Sequence, residues 1–549
     1  MSFITQEKFV AFFKMKKKQV LFWSILALAF ILRCIRFAAV PDGINQDEAM
    51  GAMDAWALSK YGTDRFGTFL PVHFEAWKYS QMSVLLSYCM IPFIKVFGFS
   101  TVTVRMPMLL ISCGAVALVY LVSEKLFDER IAFIAMLLTA VNPWQFMQSR
   151  WSLDCNLFPH VFLLAFYLLL LGLEKRRYLY LSMLFFGLTF YCYGIAAYSV
   201  TAFLFVFFIW CLWKKQLKFR EGLLCAVIFT LVALPEVIVL AINAVHYGKS
   251  IEMPFFTMQF FPDSIRGADI LFLNFSFVQL GRNAWALFSR VFLQLPDIFF
   301  NSIAAFGPLY HVSIPFVFIG IIVFTIRLFK EKQLEKQTQM LALWGFLITG
   351  IWVGLITYEV NINRVNIIFY PLLLLCAYGI DLAAARWKKL LPVIAAAYGV
   401  SSVLFFTVYF TSYAEESRYY YNKDFLNAVT EADGMEEYDR LYITGNLGWQ
   451  FNQSAAEILT QYACRTDALY YQGKLDSPDG RKSLPYAERY HYVYPEKLGN
   501  ELAEIAGDGL LMLHRQDLEY LDLPYHVIDT VGEYFLLTVD KDSEDGVCN

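Results

Sequence analysis

The stretch Gln81-Met82-Ser83-Val84-Leu85-Leu86-Ser87-Tyr88-Cys89-Met90-Ile91-Pro92-Phe93-Ile94-Lys95-Val96-Phe97-Gly98-Phe99 is apolar enough to read as a membrane-spanning helix. The topology of everything after it turns on whether it spans. Runs of about 20 apolar residues can cross a bilayer as helices. Such runs occur at 19–40, 104–123, 131–147, 157–173, 178–196, 197–213, 222–243, 311–329, 338–358, 365–385 and 390–413. Basic clusters separate them: Lys14/Lys16/Lys17/Lys18, Lys125/Arg130, Lys175/Arg176/Arg177, Lys214/Lys215/Lys218/Arg220, Arg327/Lys330/Lys332/Lys336 and Arg386/Lys388/Lys389. Cytoplasmic loops carry the excess of lysine and arginine. If 81–99 spanned, every later basic loop would change sides and the rule would fail five times. If it lies along the membrane, all six clusters share one side, and its internal Pro92 and Gly98 agree with that reading. The expectation is eleven spanning helices, with the N-terminus cytoplasmic and the C-terminus extracytoplasmic.

Composition points the same way. Of 549 residues, 58% are hydrophobic and 17% charged, and the mean hydropathy is +0.48. Soluble domains lie nearer about 45–50% apolar and about 25% charged. The chain therefore reads as a multi-pass membrane protein. Its net charge of −3 and lack of a basic surface give no reason to expect nucleic acid. Ten cysteines are scattered without a CxxC pair, which argues against a disulfide framework or zinc ribbon. The lysines at 14–18 precede an apolar run with no small-residue cleavage site, so this segment reads as a retained signal anchor. There is no Walker A lysine loop, and no GxGxxG opens a helix after a strand. That argues against a nucleotide-sugar donor and an ATP-driven pump.

This topology places 41–103, 148–156, 244–310, 359–364, 414–549 and a tight turn at 194–198 on the outside. The first outer loop opens with Pro41-Asp42-Gly43-Ile44-Asn45-Gln46-Asp47-Glu48-Ala49-Met50, directly after the first apolar run. Acidic groups beside hydrocarbon are costly and call for a reason. The competing reading is an ordinary solvated loop with Asp47 as a helix N-cap. Asp54, Asp64, Glu75 and Lys78 follow among Trp56, Phe66, Phe74 and Trp77, and Ala49–Lys60 has the spacing of an interfacial amphipathic helix. The second outer loop carries Arg150 and Asp154 four residues apart, able to share one side of a helical turn or to form a local ion pair. The loop 244–310 holds Arg266, Arg282, Asn283, Arg290 and Asp297 among phenylalanines and reads as partly membrane-lying helices. Arg364 enters an apolar run from the 359–364 turn, with Asn366 behind it; snorkelling is its plain alternative. After Tyr413 the chain becomes charged. Short β-like runs (441–443, 509–513, 534–539) alternate with helical stretches (Asp424–Asp433, Ser454–Tyr462, Lys497–Ile505) and turn signals such as Ser477-Pro478-Asp479-Gly480. The fold class is thus an α-helical polytopic membrane domain, 1–413, with a C-terminal extracytoplasmic α/β domain, 414–549.

The outer segments gather what glycosyl transfer from a lipid phosphate needs. A carboxylate can take the proton of an acceptor hydroxyl, and Asp47 with Glu48 is placed for this. Arginines bind phosphate oxygens bidentately and stabilise charge as the glycosyl–phosphate bond breaks. Arg33 and Arg36 lie in the outer third of the first helix, just before Asp47, where charges usually face a cavity. Glu75 and Lys78 are further substrate-binding candidates. His73 with Glu75 could hold a divalent metal, on an unspecific spacing, so no metal is assigned. A transporter or flippase of lipid-linked sugars is the alternative; such proteins place ionisable residues near the midplane and build from repeats, whereas these charges cluster at outer helix ends. A non-catalytic scaffold is a third reading.

The order of these features resembles a known group. Arg33 and Arg36 are followed by Asp47-Glu48, then Leu70-Pro71-Val72-His73-Phe74-Glu75-Ala76-Trp77, Phe97-Gly98, Arg105-Met106-Pro107, Asn142-Pro143-Trp144, Ser149-Arg150 through Asp154, and Arg364-Val365-Asn366 before Tyr370-Pro371-Leu372. Over residues 20–385 this resembles the GT-C superfamily of membrane glycosyltransferases, of the protein O-mannosyltransferase and aminoarabinose-transferase type. The resemblance implies a polyprenyl-phosphate sugar donor drawn from membrane lipid and a glycan, lipid or protein acceptor. It implies Asp47 as main catalytic carboxylate with Glu48 as its neighbour, and Asp154 as a second acidic residue positioning substrate. Arg105, Arg150 and Arg364 become candidates for contact with the donor or its phosphate. The Lys-Pro-Pro or His-Pro-Pro element familiar in that group is replaced here by Ala76-Trp77-Lys78-Tyr79-Ser80.

Overall fold

The computed structural model describes residues 6–76, 80–262, 271, 275–476, 484–494, 509–521 and 524–539. Expectations for Trp77, Lys78, Arg266, the turn Ser477–Gly480 and the helical stretch Lys497–Ile505 lie outside these residues.

The first half runs α1 (Gln6–Cys34), α2 (Gln46–Tyr61), the hairpin β1 (His73–Ala76) and β2 (Ser80–Ser83), α3 (Leu85–Phe97), α4 (Thr101–Leu126), α5 (Glu129–Val141), α6 (Pro143–Gln148), α7 (Asp154–Glu174), α8 (Arg176–Leu188), α9 (Ala196–Trp213) and α10 (Phe219–Ala244). It continues through β3 (Ile251–Glu252), β4 (Thr257–Met258), α11 (Phe277–Val291), α12 (Ile314–Lys330), α13 (Leu334–Ile356), α14 (Ile362–Val365), α15 (Phe369–Arg386) and α16 (Leu390–Phe410).

Among the described residues, eight helical segments are long and apolar enough to cross a membrane: Thr101–Leu126, Asp154–Glu174, Ala196–Trp213, Phe219–Ala244, His311–Lys330, Leu334–Ile356, Ile362–Arg386 and Leu390–Phe410. They correspond to eight of the eleven expected spans. The other three differ for local reasons. Helix α1 stops at Cys34 instead of running to residue 40, and turns replace its outer end. The 131–147 run divides into α5 and α6, because Asn142 caps a new helix through the Gln145 amide and Pro143 takes its first turn. The 178–196 run yields a 13-residue α8 followed by a short 3-10 turn, Thr189–Tyr191. At 1.5 Å per residue, such a helix reaches about 20 Å, against a hydrocarbon core of about 30 Å.

The deciding stretch, 81–99, is not one long helix. It holds part of β2 and then α3, 13 residues ended by Gly98 at φ +79°. Helix α3 packs against α2 and α4. The basic loops meet at one end of the bundle: Lys18 pairs with Glu124 and Glu129, Lys125 with Glu174, Arg130 with Asp381 and Arg176 with Glu221. The acidic stretch 41–50 lies at the opposite end.

The chain leaves the bundle through α17 (Ser412–Tyr420) into α18 (Lys423–Gly434), β5 (Leu441–Thr444), α19 (Gln453–Ala463), β6 (Tyr490–Val493), β7 (Leu510–His514), β8 (Tyr525–Val531) and β9 (Tyr534–Val539). These strands form one sheet ordered β6-β5-β7-β9-β8. Strand β5 is parallel to β6 and β7, and β9 is antiparallel to β7 and β8. Apolar residues of α18 and α19 (Phe425, Ala428, Ala456, Leu459) pack with Ile443, Met512 and Leu536 of the sheet. The same cluster takes in Ile44, Met50 and Met53 of the first outer loop, so this domain and that loop share a core. Gly43 makes the contact possible. Its φ is +103°, and a Cβ there would sit 2.2 Å from the Tyr421 carbonyl oxygen, which accepts the Ile44 amide at 2.7 Å.

Candidate functional site

Helix α2 begins on Asn45, whose side chain accepts the Asp47 amide at 2.9 Å. Asn45 is the cap, so Asp47 and Glu48 occupy the first helical turn, where the helix dipole favours negative charge. The two neighbours have different fates. Asp47 is half-buried, whereas Glu48 is fully buried. Glu48 accepts Arg105 Nε and Nη2 at 2.8 Å each, and the Ser152 amide at 2.9 Å. Arg105 also donates to the Pro41 and Gly43 carbonyls at 2.8 Å. This bidentate pair ties α2, α4 and the second outer loop together.

Three other arginines proposed from sequence are likewise committed to protein groups. Arg150 is fully buried and donates to the carbonyls of Arg33, Ile35, Arg36 and Val40 at 2.8–3.0 Å. It holds the turn after α1, where Arg36 (φ +48°) and Ala38 (φ +62°) adopt left-handed backbone. Arg33, fully buried, donates to the Ala29 and Ala140 carbonyls and to Gln145 Oε1. Arg36 is exposed and donates to the Phe410 carbonyl at 2.8 Å. In this structure the guanidinium groups of Arg33, Arg36, Arg105 and Arg150, expected to contact a lipid phosphate, bind carbonyl oxygens, an amide oxygen and Glu48.

Asp154 opens α7. One oxygen accepts its neighbour Cys155's amide at 2.7 Å, and the other accepts the Ser83 amide of β2 at 3.1 Å. The Cys155 carbonyl accepts Asn366 Nδ2 at 2.8 Å, which docks the start of α15 onto α7. Gln148 reaches Asn363 on α14 at 3.2 Å. The charges of Asp154, Asp47 and Arg364 all act on the buried Cys155 thiol. The Glu48 bond to the Ser152 amide and the Asn366 bond to the Cys155 carbonyl bring the turns bearing Asp47 and Arg364 to the start of α7, beside Asp154. Among the described residues, Arg364 Nη1 is buried without a hydrogen-bond partner. The site therefore holds two carboxylates and a guanidinium with unspent donor capacity.

Glu75 lies in β1, and its carbonyl accepts Arg65 Nη2 at 2.9 Å. His73 Nδ1 meets Glu236 Oε2 of α10 at 2.8 Å, with both side chains buried. Among the described residues, no group of three or more His, Cys, Asp or Glu side chains is placed to hold a metal ion. Sequence reasoning passed over Glu236, although an acidic residue inside an apolar run was the available signal. It also passed over the buried chain Ser112–His160–Tyr370, with contacts of 3.0 and 2.8 Å, which joins α4, α7 and α15.

The first outer loop is fastened elsewhere too. Asp54 pairs with Arg65, and burial pushes the Asp54 carboxyl up against that partner's pull. Asp467, just beyond α19, binds Lys60 at 3.0 Å and Tyr61 at 2.8 Å. Burial alone would raise its carboxyl, but the hydrogen bonds from Lys60, the Leu469 amide and Tyr61 bring it below its ordinary value. Between α9 and α13 lies a groove of about 380 Å³, lined by Ser199, Phe203, Trp210, Trp344, Gly345 and Trp352 among others. Helix α13 packs against α14, which carries Arg364.

Residues 82–238 match the family model for dolichyl-phosphate-mannose-protein mannosyltransferase. The whole fold is similar to that of ArnT from Cupriavidus metallidurans bound to undecaprenyl phosphate, with TM-score 0.57 and 11% identity over 93% of this chain and 97% of that one. It is similar also to the Archaeoglobus fulgidus oligosaccharyltransferase in its apo form (TM-score 0.54, 13% identity, 92% of this chain, 70% of that one). The same archaeal enzyme tethered with an acceptor peptide containing the NVT sequon aligns at TM-score 0.53 and 15% identity, over 83% of this chain and 64% of that one. No curated protein sequence matches significantly.

Proposed function

We propose that this chain, which has the GT-C fold of membrane glycosyltransferases, transfers a glycosyl group from a polyprenyl-phosphate-linked sugar to an acceptor on the extracytoplasmic face. The observation that carries this reading is that hydrogen bonds bring the turns bearing Asp47 and Arg364 to Asp154 at the start of α7, with Arg364 Nη1 unspent. Asp47 is the general base. It removes the acceptor hydroxyl proton as that oxygen bonds to the anomeric carbon, while the bond from that carbon to the phosphate oxygen breaks. The electron pair leaves with polyprenyl phosphate, and Arg364 stabilises the charge that grows on it. Asp154, held by the Ser83 and Cys155 amides, orients the reacting groups. The apolar groove between α9 and α13 would take the prenyl chain, with its phosphate directed towards α14. Arg105, Arg150 and Glu48 act as the frame that sets the Asp47 turn against α4 and α7.

The test uses purified protein in proteoliposomes with radiolabelled polyprenyl-phosphate monosaccharides and a membrane extract as acceptor source. Release of polyprenyl phosphate with label in an acceptor is expected, and Asp47→Asn should abolish it while leaving the fold intact. Normal turnover in that variant would remove Asp47 from the base role. Donor movement across sealed vesicles without release would favour a flippase.

A further inference from the structure

We propose that the buried pair His73–Glu236 is a positioning device for Asp154, acting through the β1–β2 hairpin; this rests on the transfer reading above. Helix α10 faces mainly away from the protein, yet Glu236 on it is fully buried. It lies eight residues before Ala244, about 12 Å below the outer end at 1.5 Å per residue. A carboxylate inside an apolar helix is costly and is retained where it has a partner and a task. Its partner is His73 Nδ1 at 2.8 Å.

The task follows from strand register. His73 stands directly opposite Ser83 in the β1–β2 ladder, and the Ser83 amide donates to Asp154 Oδ2. One route therefore runs from Glu236 to His73, across one strand pair to Ser83, and on to Asp154. The segment before β1 is held on the same side: the Val72 amide donates to the Thr257 carbonyl at 2.9 Å, and the Thr257 amide to the Leu70 carbonyl at 3.2 Å. Tyr88 on α3 donates to the Pro71 carbonyl at 2.9 Å. Those backbone ties fix where the hairpin starts. The side-chain pair is what sets the rotation of β1 at the residue opposite Ser83. If it is lost, the Ser83 amide can swing away from Asp154, and misplacement of about 1 Å at a reacting group can cost on the order of 100-fold in rate.

The experiment compares full-length wild type, His73→Ala, His73→Asn, His73→Gln, Glu236→Leu and Glu236→Gln in proteoliposomes. Asparagine sets its amide nitrogen where Nδ1 stood, whereas glutamine sets it where Nε2 stood. His73→Ala and Glu236→Leu should lower kcat by about 10–100-fold with donor KM within about twofold of wild type. His73→Asn and Glu236→Gln should recover most of the turnover, and His73→Gln should not. Hydrogen–deuterium exchange across 80–84 reports the Ser83 amide without any turnover, and it should quicken in His73→Ala and Glu236→Leu. Unchanged kcat in both apolar variants, equal behaviour of His73→Asn and His73→Gln, or unaltered exchange at Ser83 would overturn the proposal. Should wild type release no polyprenyl phosphate from any donor, the transfer reading fails, and the exchange result alone then decides the hairpin coupling.

Discussion

Replacing Glu48 by leucine separates a framing carboxylate from a catalytic one. Glu48 and Arg105 are both fully buried, and the carboxylate accepts two guanidinium bonds and the Ser152 amide. Removing one partner of a buried ion pair leaves the other charge unpaid in a low-dielectric site and costs about 3–5 kcal/mol. Arg105 keeps the Pro41 and Gly43 carbonyls after Glu48→Leu, which places that variant near the lower bound. Arg105→Met loses those two bonds as well, about 1 kcal/mol each, and falls near the upper bound. The double variant Glu48→Leu/Arg105→Met contains neither charge, so its cost should fall short of the summed single costs by about 3 kcal/mol or more. Unfolding in detergent followed by tryptophan fluorescence measures all three, with transfer assayed at a temperature where each variant is folded. Glu48→Gln should keep much of its turnover, since an amide oxygen still accepts from Arg105. The reasoning is refuted if Glu48→Leu is as stable as wild type to within about 0.5 kcal/mol, or if a well-folded Glu48→Gln is as inactive as Asp47→Asn.

Arg364→Lys keeps the charge but loses the planar fork; we expect kcat to fall by about 100-fold in the polyprenyl-phosphate release assay, in the range set by single charge-stabilising donors. Ile348→Trp should raise donor KM while sparing the fold, because Ile348 lines the groove with an exposed side chain and a bulkier one would fill it; titration with donors of different prenyl length checks this. The Asp467 carboxyl lies below its ordinary value of 3.8, so its bonds to Lys60 and Tyr61 stabilise the domain contact above that pH and are lost as pH falls through the lowered value. The melting-temperature difference between wild type and Asp467→Asn should therefore be constant at neutral pH and close below about 3.8.

Aspartate 47 and glutamate 48 are adjacent in sequence and alike in chemistry, and nothing local tells them apart. Helical geometry turns their side chains about 100° from each other. One, Glu48, then meets Arg105 on α4, 57 residues on, and the other stays half-buried. The arginines show the same limit. Arg33, Arg105 and Arg150 carry the charge a phosphate wants, yet each is surrounded by carbonyls of turns and helix ends that need donors once buried. Which demand wins depends on how close those carbonyls come, and that is set by packing of distant segments. Glu236 was visible as an acidic residue in an apolar run, but its partner lies 163 residues earlier and could not be read from spacing.

What the amino-acid order alone determined is the membrane character, the clustering of basic loops at one end and the composition break before the C-terminal sheet. Each rests on a property summed over many residues, namely transfer of apolar side chains from water and the placement of cationic loops, and such sums survive any detail of packing. Tertiary structure alone decided which carboxylate is sealed, that Arg364 Nη1 keeps a spare donor, and how a strand register joins Glu236 to Asp154. Hydrogen bonds and ion pairs act over about 3 Å and depend on direction, so they are fixed only when separate segments are brought into contact.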